Sequence, residues 1–551
     1  MSALRPFWTA LLLLWGCTDS APADIVVFGK VWTGDSTRPF ASAVAARGDT
    51  IIDVGDSAVL APLVGPNTRV LRSGSGLVVP GFMDAHLHLL QGGLQLSSID
   101  LRDADSPEEF IRRIAAFARE RQPGEWITGG DWDHERWPGS PLPRREWIDS
   151  VTPANPVLLS RLDRHMALAN SLALRAAGIT RLTPDIQGGV IVRDRVSHEP
   201  TGILKDRAKA PVALVIPPPS DAQVDAALRR AMHLAASRGI TAVASMSVEW
   251  AQVAGLFRAR RSGELSLRVS LYPPMADWRR VADTVQARGP GDDWIRLAGV
   301  KGYVDGSLGS RTALLFEPYA DDPGTAGLLV TSEDSLRSQA GRADSAGLQV
   351  ALHAIGQRAN ALALDIYDSI AGVHQARDRR FRLEHAQHLR AGEVQRIAGR
   401  GVVASMQPYH LLDDGRWAAR RLGSRVGESY LFRSLLDAHA RLAFGSDWPV
   451  APLDPILGIH AAVTRQTLDG KNPDGWIPAQ KITVEEALRA YTTGNAYGVF
   501  AEASRGMLKP GYRADLVLLD QDLFTIAPRQ IETTRVRVTI AGGRFVYEEA
   551  P

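Results

Sequence analysis

The chain has 551 residues, and at about 150 residues per domain it predicts two to four folding units, which excludes a single small binding module. Hydrophobic residues make up 45% and charged residues 23%, as in soluble globular proteins, so a largely disordered chain is also excluded. Lysine and arginine number 63 against 61 aspartate and glutamate, so the net charge of +2 gives no long-range field that would recruit nucleic acid.

Residues 1–17 have the features of a signal peptide. A positive charge at Arg5 precedes an apolar run that is too short to span a bilayer. The run ends in Leu-Trp-Gly-Cys, which resembles a bacterial lipobox, although Trp15 is bulkier than that pattern prefers. We therefore expect an exported protein, either a lipoprotein anchored to the membrane through Cys17 or a periplasmic protein in which Cys17 is a bystander.

Cys17 is the only cysteine in the sequence. An intrachain disulfide and a metal cluster held by cysteines are therefore excluded. Metal chemistry in this chain has to use His, Asp, Glu or Lys.

Short strands with Gly-rich turns are predicted at both ends of the chain. Residues 23–80 contain several, and residues 505–551 contain two more ahead of Gly542 and Gly543, where a hairpin turn is expected. We predict that the two ends pair into one small β-sandwich domain and that the chain between them forms a second unit.

Residues 81–500 alternate short apolar segments with longer amphipathic ones, as at 240–244 and 348–352. This order predicts a parallel α/β fold, either an open doubly wound sheet or a closed eight-stranded barrel. His and Asp follow several of the predicted strands, which favours a TIM-like (β/α)8 barrel, because barrel enzymes place their chemistry at the carboxyl ends of different strands.

Residues 101–219 interrupt this alternation. They are irregular and rich in Trp, Pro and Arg, and the segment is longer than a plain strand-to-helix loop. We predict an insertion over the mouth of the barrel.

Five polar side chains at predicted strand ends form a candidate metal site. His86 and His88 lie two apart in an extended segment, so both point the same way and can bind one cation together. His353, His385 and Asp447 each end or follow another predicted strand. The five side chains converge on one pocket only if the barrel prediction is right.

These residues resemble the amidohydrolase superfamily, in which a metal-dependent barrel carries a small β-sandwich built from both termini. Residues 300–313, Val-Lys-Gly-Tyr-Val-Asp-Gly-Ser-Leu-Gly-Ser-Arg-Thr-Ala, are similar to the amidohydrolase-3 branch, which includes N-substituted formamide deformylases. The resemblance runs from about Asp24 to Glu548. Further matches to the branch lie at residues 352–356, 384–387, 405–408, 445–450 and 511–515.

The resemblance implies that Lys301 is carboxylated on its amine and bridges two divalent metal ions, most simply Zn²⁺. A carbamate offers one oxygen to each ion, whereas an ammonium would repel both. In this arrangement one ion is held by His86, His88 and Asp447, and the other by His353 and His385. If Lys301 is instead a salt-bridged lysine at a strand end, a one-metal site remains open.

The function that follows is hydrolysis of a non-peptide C–N bond, in an amide or formamide of small size, by a metal-activated hydroxide. Asp447 would take the proton of the water and deliver it to the departing nitrogen. One alternative is a lactonase or phosphotriesterase on the same metals. Another is a non-catalytic exported binding lipoprotein, which predicts the loss of at least one ligand, and none is lost.

Four further residues are candidate substrate contacts. His165 resembles a histidine of this branch's insertion, and His410 lies where the seventh strand should end. Arg311 either binds a substrate anion or pairs with Asp305, and Trp132 would line an apolar wall. Each has an alternative, purely structural role. The sequence leaves open whether the chain forms a homo-oligomer.

Overall fold

The computed structural model describes residues 21–550. The predicted signal peptide and Cys17 lie outside the described residues. Within residues 21–550, no helix has both the length and the apolar run that crossing a bilayer requires.

The described chain begins with strands that belong to a terminal sheet. These elements are β1 (Ile25–Trp32), β2 (Phe40–Arg47), β3 (Thr50–Gly55), α1 (Ser57–Leu60) and β4 (Arg69–Pro80). The central unit then starts with β5 (Phe82–Leu87) and α2 (Leu89–Gln95). All six residues of β5 are buried, as expected of a strand that is covered on both faces.

The next segment forms a sheet of its own. Its elements are β6 (Ile99–Asp100), α3 (Pro107–Arg119), β7 (Ile127–Trp132), α4 (Arg145–Asp149), β8 (Val157–Arg161), β9 (Met166–Ala169), α5 (Ser171–Ala176), β10 (Gly189–Arg193), β11 (Pro200–Asp206) and α6 (Ala210–Val215). The six strands have the order β10-β11-β9-β8-β7-β6. This segment is more regular than its sequence suggests. The strand pattern is hard to see in the sequence because the strands are short and because Gly129 and Gly130, at φ of 101° and 107°, interrupt the alternation of side chains.

Two parallel sheets follow, in which helices separate all consecutive strands except β14 and β15. The elements are α7 (Asp221–Ser237), β12 (Ile240–Met246), α8 (Trp250–Arg261), β13 (Arg268–Tyr272), α9 (Trp278–Arg288), β14 (Ile295–Leu297), β15 (Gly299–Tyr303), α10 (Glu333–Ser345), β16 (Gln349–Ala354), α11 (Gln357–Val373), β17 (Arg382–His385), α12 (Ala391–Gly399), β18 (Val403–Met406), α13 (His410–Asp414), α14 (Ala418–Leu422), α15 (Phe432–Asp437), β19 (Arg441–Phe444), α16 (Pro455–Thr464), α17 (Val484–Ala490) and α18 (Thr493–Gly498). The sheet orders are β14-β13-β12-β5 and β15-β16-β17-β18-β19. The predicted α/β fold is confirmed.

The chain ends in β20 (Leu516–Leu519), β21 (Val536–Ala541) and β22 (Arg544–Glu548). These strands join those at the start of the chain in one seven-stranded sheet with the order β22-β21-β20-β4-β1-β2-β3. The two ends meet where β20 runs antiparallel to β4, with Leu516 opposite Pro80. Residues more than four hundred positions apart in the sequence therefore share one sheet.

A buried ion pair connects this terminal sheet to the parallel strands. Arg268, the first residue of β13, donates from Nε and Nη2 to the two carboxylate oxygens of Asp515 at 2.9 and 3.1 Å. Asp515 precedes β20 and also accepts the N–H of Gly542 at 2.6 Å. Because both charged side chains are buried, each depends on the other for compensation.

We expect Asp515→Ala to lower the free energy of unfolding by about 3–5 kcal/mol, because Arg268 would remain buried without its partner. Urea unfolding of the whole protein measures this loss. A matched control is Asp49→Ala, which removes an exposed pair with Arg513 and should cost at most about 1 kcal/mol. Equal losses in the two variants would show that the buried pair does not hold the sheet in place.

Candidate metal centre

The predicted ligands lie at the carboxyl ends of parallel strands, where the ends of neighbouring strands come together. The set comprises His86 in β5, His88 just after it, Lys301 in β15, His353 in β16, His385 at the end of β17 and Asp447 after β19. All but His88 are buried, and His88 is partly exposed. The structure brings all of these side chains into one cluster.

Asp447 lies at the centre of the first half of the cluster. Its Oδ1 atom is 3.3 Å from Nε2 of His86 and 3.2 Å from Nε2 of His88. Lys301 Nζ is 3.3 Å from the same Nε2 atom of His86. Asp447 Oδ1 is buried and makes no hydrogen bond within the part of the chain that the structure describes, which leaves this oxygen available to a cation.

Asp447 also belongs to a second group of ligand atoms, with His385 and His410. One ligand atom from each residue lies within 4.8 Å of the others. The ring of His385 is also 4.4 Å from that of His353, measured between centroids. Nε2 of His410 is buried and has no hydrogen-bond partner among residues 21–550. For His410 the sequence predicts only a substrate contact, whereas the structure also places it beside the proposed ligands.

The orientation of three imidazoles is set by acceptors behind them. Nδ1 of His86 lies 2.6 Å from Glu384 Oε2, and Nδ1 of His385 lies 2.8 Å from Gln407 Oε1. Nδ1 of His88 lies 3.1 Å from the carbonyl oxygen of Met246. These oxygens only accept, so each Nδ1 carries the proton and each Nε2 lone pair is free to bind a metal.

His353 is held through its Nε2 atom, whereas the other three imidazoles are held through Nδ1. Its Nε2 atom lies 3.1 Å from the carbonyl oxygen of Gly306 and therefore carries the proton, so that Nδ1 is its free ligand atom.

Burial keeps these side chains in the form that binds cations. It lowers the pKa of His86 to about 4, and the nearby Lys301 acts in the same direction. Burial also lowers the pKa values of His353 and His385 well below the usual range. Neutral imidazole is the form that coordinates metals. Burial lowers the pKa of Lys301 to about 8, so its uncharged amine is accessible near neutral pH.

A buried ion pair behind the cluster was not found from the sequence. Arg382 donates from Nε to Glu384 Oε1 at 2.7 Å, and from Nη2 to the carbonyl oxygen of Ala85 at 2.7 Å. Burial alone would raise the pKa of Glu384, but Arg382 and the hydrogen bond from His86 outweigh it and lower the pKa. Glu384 therefore stays ionised as the acceptor of His86. The alternating Arg-Leu-Glu-His of β17 is the sequence signal that points to it.

Asp84 is a second residue that the sequence analysis missed. Its Oδ1 accepts the N–H of His86 at 3.0 Å, and its two oxygens accept the N–H of Ser446 at 3.1 and 3.0 Å. Asp84 thus ties the end of β5 to the segment that carries Asp447. This contact fixes the distance between two of the ligands.

Two cavities meet at the cluster. The first has a volume of about 240 Å³ and the second about 290 Å³. Both are lined by Asp163, His165, His353, His385, Asp447 and Val450. His410 and Tyr409 line only the first, and Lys301 and Tyr303 only the second. The cluster is therefore open to space on two sides.

His165 and His410 both line the first cavity. His165 lines both cavities, and its Nδ1 atom is 2.6 Å from Asp206 Oδ1. Burial alone would lower the pKa of His165, but the Asp206 carboxylate outweighs it and raises the pKa. Asp206, which the sequence analysis did not single out, thereby orients the ring of His165.

The structure corrects the prediction for Trp132. This side chain is buried, and its Nε1 donates to the carbonyl oxygen of Leu159 at 2.8 Å. It packs against Phe110 and Trp137 in the core of the insertion and lines neither cavity. The ring is large and apolar, and the insertion has a core of its own in which to bury it.

Both roles predicted for Arg311 are also wrong. Arg311 binds the carboxylate of Asp321 at 2.9 Å and lines neither cavity. Asp305 instead accepts backbone N–H groups, from Leu314 at 2.8 Å and from Ile355 at 3.0 Å. Its carboxylate therefore organises the loops around the site and does not bind the guanidinium.

Known proteins resemble this chain over most of its length. Residues 74–547 match the model of a family described as "Amidohydrolase family". The chain is 40% identical to Protein LONG AFTER FAR-RED 3 of Arabidopsis thaliana, over 98% of this chain and 94% of that protein. It is 29% identical to the N-substituted formamide deformylase of Arthrobacter pascens, over 95% of this chain and 98% of that one.

A solved structure is also similar. An uncharacterized metal-dependent hydrolase from Pyrococcus horikoshii OT3 is 31% identical to the chain, with a TM-score of 0.74. The match covers 92% of this chain and 99% of that protein. The cluster described above thus lies in a chain whose fold is shared with a metal-dependent hydrolase.

We expect Glu384→Gln to weaken Zn²⁺ binding about 10- to 100-fold, because His86 loses an ionised acceptor. Competition with a coloured chelator gives the affinity, and thermal unfolding of the same samples reports any loss of fold. Glu333→Gln, an exposed change on α10, is the matched control and should bind as the unaltered protein does. Unchanged affinity in Glu384→Gln would contradict the role of this carboxylate.

Proposed function

The chain belongs to the amidohydrolase family, as its sequence motifs indicate, and we propose that it hydrolyses an amide or formamide C–N bond, other than a peptide bond, in a small molecule. The observation that carries this proposal is the convergence of four imidazoles, a lysine and Asp447 between two cavities. The 29% identity to a formamide deformylase over nearly the whole chain supports the choice of bond.

We propose further that eight of the nine strands in the two parallel sheets, all but β14, form one closed (β/α)8 barrel. On one side, a parallel bridge between Pro274, which follows β13, and Lys301 in β15 joins the two sheets. On the other side, the N–H of Asp447 donates to the carbonyl oxygen of His86 at 2.6 Å. The seven-stranded sheet of both termini would contribute the small β-sandwich that accompanies such barrels in the family.

The metals proposed for this site are two Zn²⁺ ions. The donor set fits them, because imidazole nitrogens and a carboxylate are typical zinc ligands and the orphaned Oδ1 of Asp447 lies among them. His86, His88 and Asp447 would hold one ion and His353 and His385 the other. Carboxylation of Lys301 would supply an oxygen to each. When bound, such ions lower the pKa of a coordinated water and polarise a substrate carbonyl.

The protein's own groups would then position the substrate and move the proton. The carboxylate of Asp447 would accept a proton from the attacking water and return it to the departing nitrogen. The unpartnered Nε2 of His410 and the ring of His165 face the space that the substrate would fill. Asp206 keeps His165 in one orientation through its Nδ1.

Two alternative functions are a hydrolase that cleaves a different bond and a binding protein that catalyses no reaction. A lactonase or phosphotriesterase would use the same ligands with a different pocket, so turnover of esters without turnover of amides would favour it. A non-catalytic binding protein predicts a missing ligand, whereas all six proposed ligand residues lie together.

Export remains a proposal that rests on residues 1–17 alone. Expression of the full chain in a bacterial host, with a radiolabelled fatty acid, tests the lipid anchor. Label in the unaltered protein that is lost in Cys17→Ser supports a lipoprotein, and a cleaved but unlabelled protein supports a periplasmic one.

We expect Asp447→Asn to reduce kcat on N-formyl and N-acyl amines by about 10²- to 10⁴-fold while the protein stays folded, because an amide cannot shuttle the proton. A panel of such amides identifies a substrate, and circular dichroism confirms the fold. Retained turnover in both Asp447→Asn and His86→Ala would reject the site.

We expect the unaltered protein to hold close to two zinc ions per chain and Lys301→Ala to lose at least one of them. Elemental analysis of protein purified without residues 1–17 measures this directly. Activity that is partly restored by a short carboxylic acid would support the carbamate. Lys471→Ala, on an exposed side chain, should keep its full metal content, and a full content in Lys301→Ala would exclude the bridge.

A further inference from the structure

The first cavity is lined by several carboxylates, and one of them lacks a positively charged partner. Besides Asp447 it is lined by Asp103, Asp133, Asp163, Asp413 and Asp414. Four of the five are paired. Arg161 binds Asp133 and Asp163, each at 2.8 Å. Arg416 binds Asp413, and Arg113 binds Asp103.

Asp414 is the exception. Within residues 21–550, no lysine, arginine or histidine nitrogen lies within 4 Å of its carboxylate. Its Oδ2 atom accepts the hydroxyl of Tyr430 at 2.6 Å and Nε2 of Gln387 at 3.4 Å. Its Oδ1 atom accepts no hydrogen bond from the described residues. Asp414 is therefore held by two neutral donors and lacks a positive partner.

Such a carboxylate is costly to keep ionised. Burial, reinforced by the neighbouring Asp413, raises the pKa of Asp414 to about 7. A positive charge entering the cavity would offset this cost, because opposite charges attract strongly where water is scarce. The cavity thus has an energetic preference for a cation beside Asp414.

The arginine side chains that line the same cavity do not give it a preference for anions. Arg161 is occupied by two carboxylates, and Arg102 donates to the carbonyl oxygens of Pro449 and Val450. Arg136 is exposed, so its charge is screened by solvent. An anionic substrate would find no unpaired, buried guanidinium among the described residues that line this cavity.

The remaining walls suit a cation with an apolar body. Tyr409 and Trp417 line the cavity together with Leu308, Ile355 and Leu468. Aromatic faces attract ammonium groups through the ring quadrupole. A carboxylate beside aromatic rings is therefore a combination that recognises positively charged nitrogen.

We propose that Asp414 binds an ammonium or similar cationic group of the substrate, and that the enzyme acts on amides carrying such a charge away from the scissile bond. This inference rests on the proposed hydrolysis for its chemistry. Asp414 lines the same cavity as His385 and Asp447, so one small molecule reaches both the charge site and the metal centre. Gln387, two residues after His385, connects them by its hydrogen bond to Asp414.

Tyr430 and Gln387 are positioning residues in this arrangement. Tyr430 also receives a hydrogen bond from Gln387, and both lie on the Oδ2 side of the carboxylate. They fix Asp414 with Oδ1 left for the substrate. Asn at position 414 would keep the acceptor for Tyr430 but would present no negative charge.

A binding experiment on the metal-loaded protein tests the charge site without any turnover. Choline and 3,3-dimethylbutan-1-ol have the same shape and differ in a positive nitrogen against a neutral carbon. We expect choline to bind about tenfold more tightly, measured by calorimetry or ligand-observed NMR. In Asp414→Asn the two affinities should become equal. Asp437→Asn, an exposed change on α15, should keep the tenfold preference.

Equal affinities for the two compounds in the unaltered protein, or no binding of either, would overturn the proposal. So would a choline preference that persists in folded Asp414→Asn. If that variant does not fold, the comparison in the unaltered protein still decides the question, because it needs no substitution.

A turnover experiment then separates this inference from the proposed function. N-formyl-1,4-diaminobutane and N-formylpentylamine differ in a terminal ammonium against a methyl group. We expect kcat/KM to be about tenfold higher for the charged amide, with the difference lost in Asp414→Asn. Equal values would overturn the role of Asp414 but leave the hydrolysis intact. Choline preference without cleavage of any amide would uphold the cation site and reject the hydrolysis.

Discussion

The buried ion pair between Arg382 and Glu384 is the interaction on which the metal centre depends. Both side chains are fully buried, and the pair is stable only because Arg382 also donates to the Ala85 carbonyl and Glu384 accepts from His86. Glu384 thereby determines which nitrogen of His86 carries the proton. A charge pair in the interior of the sheet thus sets which nitrogen of His86, a proposed ligand on a different strand, is free to bind a metal.

The segment of residues 101–219 lines part of the first cavity. Its residue Asp163 binds Arg161 and accepts hydrogen bonds from the hydroxyls of Ser307 and Ser310 at the first cavity. Asp133 reaches across to Arg416 at 3.2 Å. Because these contacts are ionic and partly buried, they hold the walls of the cavity at a fixed separation. This segment thus shapes the first cavity without contributing any of the proposed metal ligands.

Several features of this protein are visible only as pairs of distant residues. Asp84 and Ser446, which are hydrogen-bonded, lie more than three hundred and sixty positions apart in the sequence. Arg382 and Ala85 are also hydrogen-bonded and lie nearly three hundred positions apart. No local pattern indicates that these groups meet. Trp132 and Arg311 show the opposite case, in which the residue type suggests a binding role that the structure does not support. Trp132 donates a hydrogen bond to Leu159, and Arg311 forms an ion pair with Asp321.

The α/β class, the family and the six residues proposed as metal ligands can all be predicted from the amino-acid sequence, because strand periodicity and short motifs such as His-x-His are local properties of the chain. The orientation of the ligands and the nature of their surroundings depend on tertiary packing. Glu384 and Asp414 have the same chemistry as the many other carboxylates of the chain. What distinguishes them is burial and the presence or absence of a cationic partner, and both arise only when distant segments pack together.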